Sequence, residues 1–484
     1  MTRSTLRLIV LTAVALLATA APAAATRYVE GAPGAGDPFY PLAGNGGYDV
    51  KHYGLVLDYD PATDVLSGRA AVFARATENL KSFNLDLRRF LEVERVTVNG
   101  RRASFTREDE HELVISPRPK LKEGRTFVVT VRYEGEVEPV VDPDESIEGW
   151  IPTEDGAFVV NEPQGSPGWY PANDTPKDKA TYDFVISVPK GREALANGKL
   201  VANFDRGSRS VWIWRARDPL APYLSTATNG EFETRFGELP DGLPEYNAVD
   251  PTTRRYVPPP APMGPPTPEL AWERLAAQPG AVALFEELYG DYPFEAIGAI
   301  VDWAPNVFYA LESQTKPNYW QVPSISTLVH EIAHQWFGNS VTLTEWPDIW
   351  LNEGFATWST WIYSERTGGS TAQDEFDELY AIPPTEEEAY QDLWFPAPLK
   401  LSGPEELFHT PVYDRGAMTL QALREKLGDE VFFGILREWY EENAGGNVTT
   451  ADFVALAEKE SGQELDAFFR IWLKKDGRPE PGSW

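Results

Sequence analysis

The sequence has no cysteine among its 484 residues. Disulfides, thiolate metal sites and lipid attachment through Cys are therefore excluded. Histidine is nearly as scarce, with five in the whole chain, so two in one motif carry weight. Basic residues are outnumbered, 43 Lys and Arg against 74 Asp and Glu, for a formal net charge of −31. A polyanion would be repelled over most of such a surface, which argues against nucleic-acid binding. Long apolar runs are missing too. Leu8 to Ala20 is too short to span a bilayer stably, and nothing later reaches membrane-helix length.

The composition that remains is that of a packed globular protein, with 42% hydrophobic residues and 16 Trp. The length exceeds one ordinary core, so two or three domains are expected. At the N-terminus, Arg3 and Arg7 precede the apolar run, and Ala21-Pro22-Ala23-Ala24-Ala25 offers small-residue cleavage sites. This is the build of a secretory signal peptide over residues 1–25. Export without disulfides points to a secreted or extracytoplasmic bacterial protein. Asn173-Asp174-Thr175 and Asn447-Val448-Thr449 fit the glycosylation pattern, which is short enough to recur by chance.

Between about residues 45 and 235 the pattern is that of strands. Val96 and Val98 alternate with polar residues and run into Asn99-Gly100, a hairpin signal. Phe127–Tyr133 and Tyr182–Val188 read as further strands, the second closed by Pro189. Residues 26–236 are accordingly expected to form an antiparallel β domain. The proline-rich segment 257–268 excludes helix and central strand and reads as a linker or stiff loop. Beyond it the spacing turns helical, over Leu270–Leu288 and most of the chain after Ser324. The expected fold class is multidomain α+β, with residues 237–484 as a mostly helical second domain.

The clearest chemical signal is Val329-His330-Glu331-Ile332-Ala333-His334-Gln335-Trp336-Phe337-Gly338. Ser326 or Thr327 is suited to cap a helix there, and Gly338 to end it. Val329, Ile332, Ala333, Trp336 and Phe337 fall on one stripe, with His330, Glu331 and His334 on an arc of roughly 100° beside it. Two imidazoles one turn apart can bind one ion, and a carboxylate between them can take a proton from water. Catalytic zinc needs a third protein ligand. Eighteen residues separate His334 from Glu353, which lies on a second helical run, Trp350–Trp358. An antiparallel helix pair would bring Glu353 to the metal, and two His with one Glu point to catalytic rather than structural zinc. A lone H-E-x-x-H can be an amphipathic helix with solvated histidines; the spaced Glu353 sets this one apart. His52, His111 and His409 lack such a context and read as structural or surface residues.

H-E-x-x-H, eighteen residues, then Glu, flanked by Trp336-Phe337-Gly338-Asn339 and Asn352-Glu353-Gly354-Phe355-Ala356, resembles the M1 family of zinc aminopeptidases, the gluzincins that include aminopeptidase N. The likeness runs from about Tyr48 to Trp472, with Gly47–Tyr53 and Tyr170–Tyr182 similar to segments of the family's β domain. It implies one zinc ion, a thermolysin-like catalytic domain, and peptide substrates with a free N-terminus. It further implies that Glu331 is the general base and that Tyr413, in Val412-Tyr413-Asp414-Arg415-Gly416-Ala417, stabilises the oxyanion. Tyr309-Ala310-Leu311-Glu312-Ser313 occupies the place of the family's G-x-M-E-N motif, so Ala310 and Glu312 would contact substrate, with Glu312 on the α-ammonium. Glu162, in Asn161-Glu162-Pro163, matches the second residue that reaches this amine. The motif glycine is Tyr309 here, which would alter a substrate subsite. Too little chain follows Glu353 for the large C-terminal helical domain of longer members, so a short form with a more open site is expected.

The expected activity is removal of N-terminal residues from peptides. Two rivals remain at this point. A thermolysin-like endopeptidase would share the metal chemistry without amine-binding carboxylates, and a non-catalytic peptide-binding relative would be expected to lose Glu331 or Tyr413. Epoxide hydrolysis, known in one branch of the family, has no support in the sequence.

Overall fold

Strand Tyr48–Asp60 shows how the sequence builds the first half. Tyr48 and Val50 point inward, and so do Tyr53, Leu55, Leu57 and Tyr59, so the alternation changes phase. The change falls at Lys51, where the pairing register with Val65–Ala76 slips between Val50 and His52. A β-bulge absorbs the extra residue and keeps both apolar sets on the core face.

The computed structural model describes residues 27–240, 242–258, 261–482 and 484. The expected signal peptide, residues 1–25, lies outside the described residues. Tyr48–Asp60 sits inside an eight-stranded sheet whose order is Lys199–Arg206, Arg209–Leu220, Ala180–Pro189, Tyr48–Asp60, Val65–Ala76, Thr126–Glu136, Glu92–Val98, Arg101–Arg102. All neighbours are antiparallel except Ala180–Pro189 with Tyr48–Asp60, which run parallel because a long crossover joins them. Asn99 and Gly100 form the expected hairpin turn, both with positive φ, 49° and 76°. That is the conformation a two-residue turn needs to match strand twist. A four-stranded sheet, Val29–Glu30, Leu80–Asp86, Glu112–Ser116 and Ser104–Glu108, closes over the large sheet. Phe83 packs on Tyr48 and Phe127 across that interface. A third sheet holds Ile147–Pro152 and Ala157–Val160, which lead into Glu162.

The second half opens on a five-stranded sheet ordered Glu233–Glu238, Pro244–Val249, Ile297–Val301, Asn318–Tyr319, Ala310–Leu311. Ala310–Leu311 is its edge. Helices Pro268–Leu275 and Gln278–Tyr289 lie in the expected helical stretch. The described part of the proline-rich segment is free of helix and strand up to Pro268 itself, which is the first helical residue. Proline is tolerated there because its missing N–H is one that no helix start uses. Past Ser324 the chain is mostly helical, with Ile325–Ala333, Trp350–Thr367 and Gly416–Leu427 nearest the site.

The halves are tied by polar contacts and share one hydrophobic core cluster. Lys179 donates to the carbonyls of Ser340, Gly446 and Asn339 at 2.8, 2.9 and 3.2 Å. Asn447 Nδ2 donates to the carbonyl of Pro176, and the Trp346 N–H to Asp37, both at 2.8 Å.

Candidate functional site

Helix Ile325–Ala333 starts at Ser324, whose hydroxyl accepts from the Thr327 N–H; the cap is two residues earlier than Ser326. It also ends earlier than Gly338. Past Ala333 the backbone widens, with the N–H groups of Asn339, Ser340 and Val341 bonding five residues back to His334, Gln335 and Trp336. The wide turn carries His334 and leaves Gly338 at φ 122°, where a Cβ would press on His334 Nδ1 at 3.1 Å. The expected apolar stripe Val329, Ile332, Ala333, Trp336 and Phe337 is buried throughout.

The Nδ1–H of His334 donates to the Phe337 carbonyl at 3.0 Å, which in the neutral ring leaves the lone pair on Nε2. That nitrogen lies 2.9 Å from His330 Nε2 and 3.3 Å from Glu353 Oε2, and His330 Nε2 lies 3.1 Å from the same oxygen. Three atoms able to ligate a metal thus converge on one point, and His330, His334 and Glu353 can hold a divalent ion. Glu353 comes from helix Trp350–Thr367, packed on the His330 helix.

Burial raises the cost of charge here, and the carboxylates respond differently. Against that cost, the adjoining imidazoles hold Glu353 down at about 2. Burial lifts Glu331 and Glu162 well above the usual carboxylate range, and neighbouring carboxylates add to the effect. Burial likewise pushes Glu312 up to about 7. Burial also lowers His330; it opposes the proton on His334 as well, but Glu353 and Glu312 outweigh it and raise that ring to about 10. Two imidazoles whose Nε2 atoms lie 2.9 Å apart do not both take a second proton and become imidazolium. Four buried carboxylates therefore face at most one positive charge, a deficit that suits a divalent cation and an ammonium ligand.

The cluster opens on a cavity of about 450 Å³ whose lining includes Glu162, Ala310, Glu312, Glu331 and Tyr413 and, among the described residues, no Lys or Arg. Glu162 comes from the β half, the rest from the second half. Gln335 Nε2 and Asn339 Nδ2 donate to the Glu312 carbonyl at 2.9 and 2.8 Å, pinning its backbone. The side chains of Glu312 and Glu162 each keep one buried oxygen without a hydrogen-bond partner. Tyr413 sits on a π-helical turn, Pro411–Arg415, its ring 6.1 Å from that of His330. Tyr309 fills space beside the cavity, its hydroxyl donating to the Ile147 carbonyl at 3.0 Å.

All eight site residues chosen from the sequence therefore reach one cavity. Sequence reasoning missed Asp144, Glu145, Phe308 and Phe408, which also line it with no motif to mark them. It also gave no role to Arg415. This buried guanidinium donates to the carbonyls of Trp472, Trp394 and Ile471 at 2.7, 2.9 and 3.2 Å, fixing the Tyr413 turn to the C-terminal segment.

A metal-binding triad on paired helices, beneath a β domain that contributes a carboxylate, defines a class of two-part metalloproteins. The comparisons make the assignment specific. The peptidase family M1 domain matches residues 294–472 and the peptidase M1 N-terminal domain matches residues 49–224. The chain belongs to peptidase family M1. It is 25% identical over 402 residues to probable aminopeptidase 2 of Sulfurisphaera tokodaii, covering 74% of this chain and 47% of that protein. It is 23% identical over 463 residues to aminopeptidase N of Lactococcus lactis, covering 89% and 51%. The chain thus spans about half the length of these relatives. The crystal structure of an M1 zinc metallopeptidase from Deinococcus radiodurans superposes with a TM-score of 0.79 at 27% identity, covering 93% of this chain and 99% of that one. A point mutant of that protein was solved with a Tyr-Ser-Ala substrate; it matches with a TM-score of 0.78 and 27% identity over 93% and 100%.

Proposed function

We propose that the chain is a zinc aminopeptidase that removes N-terminal residues from peptides. One observation carries the reading. Two buried carboxylates, Glu162 and Glu312, have oxygens without partners and line the same cavity as the His330–His334–Glu353 cluster. An ammonium group held there would favour the ionised form of both acids, which burial otherwise opposes.

In this reading His330, His334 and Glu353 hold one zinc ion, which when bound supplies Lewis acidity and a more acidic water. Glu331 takes the proton of the attacking water and passes it to the leaving amine. Tyr413, whose phenol burial and nearby carboxylates keep protonated well beyond its usual range, donates its O–H to the developing oxyanion. Glu162 and Glu312 bind the α-ammonium group and fix the register of the chain. Ala310, on the sheet's edge strand, offers backbone groups to the substrate backbone.

We also propose the division into residues 26–236 and 237–484, and export from a bacterial cell guided by residues 1–25. Among the described residues no helix is long and apolar enough to cross a membrane. An open active site belongs to the same proposal; markedly slower cleavage of a longer peptide than of a dipeptide with the same first residue would count against it. The amine-binding pair argues against a thermolysin-like endopeptidase, and retention of Glu331 and Tyr413 argues against a non-catalytic relative. The test is a panel of aminoacyl substrates with free and N-acetylated termini, assayed with and without chelator. Free-amine substrates should be cleaved and the chelator should stop it. Equal rates on acetylated substrates would sink the exopeptidase assignment.

A further inference from the structure

Outside the cavity, the four-stranded sheet buries another group of ligand-type side chains. Asp86 and Glu112 face each other directly across antiparallel strands Leu80–Asp86 and Glu112–Ser116. Like charges in that relation repel, and here water does not screen them: Asp86 is 0% and Glu112 1% exposed. His111 stands next to Glu112. One ligand-type atom from each of Asp86, His111 and Glu112 lies within 4.8 Å of the others.

The two carboxylates differ in their surroundings. Asp86 is fully oriented, its oxygens accepting from the Asp174 N–H at 2.8 Å, Asn45 Nδ2 at 3.0 Å and the Gly44 N–H at 3.1 Å. Among the described residues Glu112 has no well-formed hydrogen bond on either oxygen, and the Asn84 side chain alone stands close enough to favour its charged form, against a burial that disfavours it. An isolated buried carboxylate opposite another is costly unless it is paired or coordinates a metal. The nearby guanidinium of Arg88 is shared among other acids, Asp142, Glu148 and Asp174. His111 is placed as a ligand would be. Its Nε2–H donates to the Leu42 carbonyl at 3.1 Å, so the neutral ring keeps a lone pair on Nδ1. Outer hydrogen bonds of that kind orient metal-binding imidazoles. The ring is also only half-buried, which leaves an entry path.

We propose that Asp86, His111 and Glu112 form a second divalent-cation site, of the nitrogen–oxygen type that takes Mn²⁺ or Zn²⁺. One imidazole with two carboxylates favours these ions over Ca²⁺, which takes oxygen ligands. None of the three residues lines the catalytic cavity. Its role would be structural: Asp86 ties together the loop at Gly44–Asn45, the four-stranded sheet and the Asp174 turn, and the ion would lock that junction.

The test counts ions in the full chain carrying His330→Ala and His334→Ala, which empties the cluster described above. After incubation with Mn²⁺ or Zn²⁺ and gel filtration, one ion per chain should remain and the melting temperature should rise. Adding Glu112→Gln, or separately His111→Ala, should abolish both. Without metal, the Glu112→Gln form should melt no lower than its parent, since the change removes a buried unpaired acid. If the double-alanine background does not fold, the same count on otherwise unaltered protein should fall from two ions to one on Glu112→Gln or His111→Ala. No ion bound outside the His330 cluster, an ion kept equally by both variants, or a preference for Ca²⁺ would overturn the proposal.

Discussion

Gly354 and Gly416 touch backbone to backbone. A Cβ built on either would lie 2.9 Å from the Cα of the other. Gly354 follows Glu353, and Gly416 begins the helix after the Tyr413 turn, so this contact sets how far Glu353 stands from Tyr413. Gly354→Ala or Gly416→Ala must push two helix backbones apart, because no flexible side chain is there to yield. Overpacking of this kind costs about 1–3 kcal/mol. Thermal melting should show that loss, and kcat should fall while binding of zinc, measured by metal content, survives in the milder variant. Wild-type kcat in both alanine variants would show that the contact does not set the geometry.

Glu331→Gln keeps the shape of the side chain and removes the base. Turnover should fall by about 10²–10⁴-fold. Zinc content should stay at the wild-type level, because His330, His334 and Glu353 complete a ligand set without Glu331, although Glu331 and Glu312 also lie close to His334. Loss of metal together with activity would instead make Glu331 a ligand.

Tyr413→Phe removes one donor and little volume. If the phenol stabilises the oxyanion, kcat should fall by about 10²–10³-fold with KM little changed. A rise in KM alone would move Tyr413 from the transition state to ground-state binding.

How much of this could be read from the sequence divides by the range of the interactions. His330, Glu331 and His334 share a helix turn, and Asn99-Gly100 a hairpin, so spacing alone placed them. Glu353 lies on the next long helix, and its spacing was enough once a third ligand was required. The cap went wrong by two residues because Ser324, Ser326 and Thr327 offer similar hydroxyls, and only the observed fold selects one. The early end of the His330 helix depends on the wide turn at residues 334–341, which no local propensity announces. The edge strand Ala310–Leu311 is two residues long and pairs with Asn318–Tyr319, too short for any periodicity. Asp144 and Glu145 reach the site from the first half of the chain, and the Gly354–Gly416 contact joins two helices far apart in sequence. His111 reads as structural or surface in the sequence because Asp86, which stands near it, is brought there by the pairing of Asp86 with Glu112 across two strands.

Removal of zinc should change the pH dependence of stability in a defined direction. In the metal-free fold, burial raises Glu312 from its ordinary value to about 7. A carboxyl raised on folding binds its proton more tightly in the folded state. Below the unfolded value, near 4.5, both states are protonated and nothing is lost. As pH climbs from there to about 7, the unfolded chain ionises first and the fold loses stability; above that the loss is constant. Each pKa unit corresponds to about 1.4 kcal/mol, so the effect reaches a few kcal/mol at most. Melting of chelator-treated wild type against Glu312→Gln should therefore diverge between those two values, with the variant the more stable at neutral pH. Reloading with zinc should narrow the gap, because a nearby divalent ion stabilises the carboxylate over the acid. A gap that stays constant across the pH range would mean that Glu312 is not held in the buried, cation-poor setting described here.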